Sequence, residues 1–139
     1  MDRKNAWDER EEAIRLWFAM WLQKADLGIE ALFAPDIVYT ESWGPQYQGV
    51  GKVKLWFEEW NTRGTVLRWD IGQFFHSEDQ TAVEWYFECA MDGAAPAAFE
   101  GMSLICWAES GKISALKEFG CKAGPYDPYE NGPKPQFKA

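Results

Sequence analysis

The chain has 139 residues, 47% hydrophobic and 26% charged, a balance that fits one globular domain over residues 1–139 and leaves no room for two of ordinary size. Its formal net charge of −8 and isoelectric point near 4.7 repel phosphate backbones and anionic lipid, which argues against nucleic acid and membrane surfaces as partners. With no 18-residue apolar run and no apolar leader after Met1, a cytoplasmic location is expected.

Ile14, Trp17, Phe18, Trp21 and Leu22 recur at helical spacing on one stripe, which predicts a first helix over 9–24, with Asp8 and Glu11 as a capping pair. Asp26 is placed to cap a short second helix through Ile29 and Leu32, which must stop before Pro35. A strand follows over 37–43, with Ile37, Tyr39, Glu41 and Trp43 on one face. The Gly- and Pro-rich segment 44–49 reads as a loop, and Val53, Trp56, Phe57 and Trp60 mark a third helix ended by Gly64. From 65 to 121 three turn signals, at 77–80, 91–96 and 109–112, cut the chain into four strands joined by short turns and therefore antiparallel. In the strand over 81–90, Val83, Trp85, Phe87 and Cys89 share one face, and Glu84, Tyr86 and Glu88 the other. The segment 122–139 holds four prolines and no period, and reads as an extended surface tail. The order ααβαββββ describes an α+β fold, a curved, mostly antiparallel sheet wrapped around helices.

Nine Trp, nine Phe and five Tyr are many for this length, so either the core is bulky or a cavity is walled with rings. Cys89, Cys106 and Cys121 lie in apolar runs without CxxC spacing, and their odd number cannot pair fully, which suggests buried free thiols. One His and scattered Cys leave too few ligands for a structural zinc site, so neither metal nor cofactor is expected. That one, His76, ends a strand at a polar turn and reads as a solvated imidazole.

The run from Ala25-Asp26-Leu27 through Leu32-Phe33-Ala34-Pro35-Asp36-Ile37-Val38-Tyr39 resembles the helix-to-strand signature of the nuclear transport factor 2-like superfamily, which includes SnoaL-like polyketide cyclases and ketosteroid isomerases. Gly49 and Gly111-Lys112-Ile113 also sit where that superfamily has them, and the resemblance covers residues 9–121. It implies a cystatin-like cone with an internal pocket between the sheet's concave face and the first helix, and a homodimer formed through the sheets. The scaffold hosts isomerases, cyclases, dehydratases, epoxide hydrolases and proteins without catalytic role, so the fold alone selects none of them.

Glu41 is the first candidate catalytic residue. It is a carboxylate on an otherwise apolar strand face, where burial raises its pKa. By the resemblance, its place five residues after Asp36 is that of the general base of ketosteroid isomerases. The two donors those enzymes aim at the enolate oxygen fall on Trp17 or Phe18 and on Ser103. Glu118 faces the cavity if Ser114, Leu116 and Gly120 do; the more apolar set Ile113, Ala115 and Phe119 has an equal claim on the interior. Arg68 and Asp70 are similar to two members of an epoxide hydrolase's Asp-Arg-Asp set but lack a third. Tyr39, Trp43, Trp56, Trp85, Phe87, Leu116 and Phe18 are the candidate ligand-binding wall, although tryptophans are more often core. The expectation is a cofactor-free isomerase, cyclase or lyase acting on a small apolar, cyclic or polyketide-like compound. The alternative is a non-catalytic ligand-binding or dimerisation module.

Overall fold

The computed structural model describes residues 3–138. Helix α1 spans Arg3–Gln23 and buries the expected stripe, Ile14, Trp17, Phe18 and Trp21, while Leu22 lies at its exposed edge and Met20 takes the buried place. The helix begins six residues before the predicted start, so Asp8 and Glu11 are not its cap. Its end is marked by Lys24 in a left-handed conformation (φ 55°), with the Ala25 amide bonding back to the Met20 carbonyl at 3.0 Å. Helix α2 is the single turn Ile29–Leu32, preceded by Asp26, whose Oδ1 accepts the Gly28 and Ile29 amides at 2.9 and 2.8 Å.

Strand β1, Phe33–Thr40, starts earlier than predicted and stops before Glu41. The segment read as a loop contains a further strand, β2 (Gln46–Gln48), which folds back on β1 with Tyr47 opposite Tyr39. Helix α3 (Val50–Arg63) and the long strands β3 (Gly64–His76), β4 (Gln80–Met91), β5 (Ala97–Trp107) and β6 (Ile113–Lys122) follow. The six strands form one curved, unclosed sheet in the order β2-β1-β6-β5-β4-β3. All pairings are antiparallel except β1 with β6, which no turn joins and which run parallel. Their register slips between Phe33 and Val38, the interval containing Pro35, which has no amide to give to a ladder.

The inner sheet face packs on α1 and α3, and Trp17 sits at the centre of the contact. Its ring meets Phe33 and Trp21 edge-on at 4.8 and 5.5 Å, while Phe18 stacks on Trp69 at 3.8 Å. On β4 the predicted alternation holds, with Val83 and Trp85 buried inward and Glu84 exposed. Gly101, paired with Trp85 across the β4–β5 ladder, is required by close approach: a Cβ there would run into the Trp85 ring and the Phe119 carbonyl oxygen.

Three further expectations are corrected. His76 is no free imidazole: its side chain is only 7% exposed, with Nε2 2.8 Å from Glu11 Oε2, Nδ1 2.9 Å from Thr81 Oγ1 and the Trp7 ring stacked at 5.1 Å. The added first turns of α1 supply Trp7, which with Glu11 further along the helix covers the strand end. Cys121 is exposed rather than buried, because it points away from the inner face at the end of β6, while Cys89 and Cys106 are half-buried and all three are free thiols. The segment after β6 curls on itself instead of extending: Gln136 bonds to the Pro128 carbonyl at 2.7 Å, and the Lys138 amide to the Tyr126 hydroxyl at 2.8 Å. No described helix is long and apolar enough to cross a membrane.

Candidate functional site

A cavity of about 370 Å³ opens where α1, α3 and the inner sheet face diverge, a volume within the range of small-ligand sites. The sheet supplies Trp69, Trp85, Phe87 and Phe99 to its wall, and the helices supply Trp21, Trp56 and Trp60. The rings meet at steep angles, Trp69 against Trp85 at 89° and Trp21 against Trp60 at 78°, so they enclose space on several sides rather than forming one stack. The indole N–H groups of Trp21 and Trp69 are buried without a protein acceptor among the described residues.

Two carboxylates reach this cavity, Glu41 and Glu118. Backbone register brings them together. In the parallel β1–β6 ladder Tyr39 pairs with Leu116 and Thr40 with Lys117, so one step further Glu41 comes opposite Glu118 on the same side of the sheet. Glu41 itself opens the 41–45 hairpin loop, closed by its amide on the Pro45 carbonyl at 2.9 Å and by Gly44 at φ 122°, a conformation that favours glycine.

Each carboxylate is held by a tyrosine, and the two tyrosines are a cross-strand pair. The Tyr39 hydroxyl donates to Glu118 Oε2 at 2.7 Å and accepts the Trp17 indole N–H at 3.2 Å. The Tyr47 hydroxyl donates to Glu41 Oε2 at 2.7 Å, with its ring stacked on Trp56 at 4.5 Å. Burial raises the Glu118 carboxyl from 4.5 to about 7; the Tyr39 hydrogen bond opposes this and the charge of Glu41 adds to it. Burial raises Glu41 as well, against hydrogen bonding from Tyr47 and Trp43 and the charge of Arg63. The Tyr39 phenol is pushed well above its ordinary value by burial, then by the charge of Glu118, so it acts as a fixed donor. Glu118 Oε1 makes no hydrogen bond to the protein among the described residues and is the atom on which a proton can be carried.

Of the residues singled out in the sequence, Glu41, Glu118, Trp43, Trp56, Trp85 and Phe87 lie on the cavity. Trp43 is at the mouth, 78% exposed, because β1 ends at Thr40 and leaves it in the hairpin loop. Trp17, Ser103, Tyr39, Leu116 and Phe18 do not line it; they are buried behind the wall. The Trp17 N–H is taken by Tyr39, and the Ser103 hydroxyl accepts the Trp85 N–H at 2.9 Å, although Ser103 neighbours Glu118 across the β5–β6 ladder. Arg68 and Asp70 pair with each other at the surface, away from the cavity. Sequence reasoning did not assign Tyr47, Trp21, Trp60, Trp69, Phe99, Cys89 or Met91 to the site. Trp21 and Trp60 were legible as buried stripe positions, and Cys89 lay on the correct face of β4, but nothing in a Gly- and Pro-rich loop announces that Tyr47 returns to the sheet.

The chain matches the model of the SnoaL-like domain over residues 14–116. No curated protein sequence matches it. Among solved structures, it is similar to a hypothetical protein with a ketosteroid isomerase-like fold from Catenulispora acidiphila DSM 44928, in complex with trimethylamine (TM-score 0.67, 19% identity, 81% of this chain and 86% of that one). It is also similar to an LEH-like epoxide hydrolase from M. tuberculosis (TM-score 0.72, 12% identity, 82% and 84% covered) and to TerC co-crystallised with polyporic acid (TM-score 0.66, 16% identity, 80% and 90% covered). At these identities the solved structures establish the architecture they share with this chain, an α+β cone of the nuclear transport factor 2-like kind. The match of the family model over most of the sequence, on that architecture, makes this chain a member of the SnoaL-like domain family.

Proposed function

We propose that the protein is a cofactor-free isomerase, cyclase or lyase that shuttles a proton on a small, largely apolar, cyclic or polyketide-like compound. One observation carries this reading: two carboxylates, Glu118 on β6 and Glu41 just past the end of β1, face one aromatic cavity, and burial raises Glu118 to about 7. Two acids in one enclosed space separate into an ionised and a protonated partner. Glu41 is the ionised one, since it is the less deeply buried of the two and the charge of Arg63 also favours its ionised form, and it removes a proton from a carbon next to a carbonyl. Glu118 holds the proton on Oε1 and gives it to the carbonyl oxygen, while Oε2 stays fixed on Tyr39. The products of this step are an enol, protonated Glu41 and ionised Glu118; the reverse transfers at another carbon complete an isomerisation. Trp17 acts by orienting Tyr39. The ligands of the two co-crystallised neighbours support a small molecule as the occupant.

A test follows α-proton exchange of 2-tetralone, a small enolisable aryl ketone, in D2O by NMR. The wild-type protein accelerates exchange, and Glu41→Gln and Glu118→Gln each abolish the acceleration while leaving the near-ultraviolet circular dichroism of the tryptophans intact. Exchange unaffected by both substitutions would remove the carboxylates from the chemistry. The second reading, a ligand carrier, is favoured by the engagement of the Trp17 N–H and the Ser103 hydroxyl in internal hydrogen bonds, which leaves neither of these expected donors free to polarise a carbonyl. The reading includes a homodimer through the outer sheet face, where Phe75 and Phe119 are each 50% exposed.

A further inference from the structure

The wall of the cavity offers a ligand two things, and both favour the same sign of charge. Among the described residues every formally charged group on it is acidic: Glu41 and Glu118 line it, and no Lys, Arg or His does. The base whose charge acts on Glu41 is Arg63, whose guanidinium is committed to Glu59 at 2.7 Å on the surface of α3. The remaining wall is dominated by indoles, with Trp56, Trp60, Trp69 and Trp85 presenting faces and edges from different directions. The face of an aromatic ring is the negative end of its quadrupole, and indole is the strongest of the side-chain rings in attracting a cation.

Consider the possible occupants. An anion would meet two carboxylates without a counter-charge. A neutral hydrocarbon would strip water from those carboxylates and give nothing in return, at the cost that accompanies an unpaired buried charge. An inorganic cation or a primary ammonium would surrender strong hydration for a wall that has few side-chain oxygens, namely those of the two carboxylates and the Ser42 hydroxyl. A methylated ammonium fits all of these constraints, because its charge is spread over a weakly hydrated apolar surface that rings can contact on every side.

We infer that this cavity recognises the methylated ammonium group of an organic cation, with the indoles as its box and the carboxylates as its counter-charge. The inference rests on the reading above that this cavity is the ligand site, and it adds a substrate class: a small apolar body bearing a tertiary or quaternary amine. The ring faces supply the preference for alkylated over bare ammonium, and Glu41 supplies the preference for positive over neutral.

The test is isothermal titration of the full chain at pH 8 with choline and with its uncharged carbon isostere, 3,3-dimethylbutan-1-ol. Choline binds more tightly than the alcohol by roughly tenfold or more. Glu41→Gln removes most of that margin by weakening choline alone, and Trp60→Leu, which keeps an apolar wall but loses the ring, does the same. Equal or tighter binding of the alcohol overturns the inference while leaving a ligand cavity in place. Binding of neither overturns it too, and the proton-exchange assay then judges the catalytic reading separately. A choline margin that survives both substitutions would place the cation elsewhere and also overturns the inference.

Discussion

Replacing Glu118 by Gln should make the protein more stable at pH 8 and change little at pH 4.5. In the unfolded chain the Glu118 carboxyl ionises near its ordinary 4.5, whereas in the folded protein burial holds the proton until about 7. Between those values the folded state binds more protons than the unfolded state, so this group's contribution to stability falls as pH rises and is fully lost above about 7. At ~1.4 kcal/mol per pH unit, the interval corresponds to a penalty of about 3 kcal/mol in the wild type. Glutamine keeps the shape and can still accept the Tyr39 hydroxyl, but it has no charge to bury. Urea denaturation followed by tryptophan fluorescence at several pH values measures the difference between variant and wild type, so that other titrating groups cancel. The expected gain is near zero at pH 4.5 and roughly 2–3 kcal/mol at pH 8. A gain that does not vary with pH, or a loss at pH 8, would refute the claim that Glu118 is buried with a raised pKa.

Tyr39→Phe removes the hydrogen bond that favours ionised Glu118, so the carboxyl midpoint followed by carbon-13 NMR should rise by roughly one pH unit beyond its value of about 7. An unchanged or lowered midpoint would show that Tyr39 does not hold Glu118. Gly101→Ala forces a methyl group toward the Trp85 ring and the Phe119 carbonyl, and should cost about 1–3 kcal/mol in the same denaturation assay. A neutral effect would mean that β5 has room at that position.

Much of the architecture could be read from periodicity, because a stripe such as Ile14, Trp17, Phe18 and Trp21 reports burial directly. The alternation of Val83, Trp85, Phe87 and Cys89 likewise identified the inner face of β4. What could not be read was whatever depends on contacts distant in sequence. Strand β2 is three residues long and is stabilised by pairing with β1, so no local pattern marks it. His76 looked exposed because the residues that cover it, Trp7 and Glu11, lie far away in sequence, near the start of α1. For Glu118, alternation left two orientations open: the apolar set had an equal claim, but Phe119 is half exposed and Leu116 buried. The identity of Glu41 as a pocket acid was legible; its tyrosine partner was not. Trp17 and Ser103 illustrate the remaining limit. Both lie behind the cavity wall rather than on it, and each is already engaged by a neighbouring aromatic side chain, Tyr39 or Trp85.

The parallel pairing of β1 with β6 has a consequence for how the protein is made. Residues 41 and 118 come from opposite ends of the sheet-forming sequence, and no hairpin joins their strands. A nascent chain can complete all three helices and the β3–β4–β5 meander before the last strand emerges, but it cannot have this acid pair. Closing so long a loop is the slow kind of contact in folding. The two acids therefore come together only when β6 docks beside β1, the same step that closes the aromatic enclosure around them.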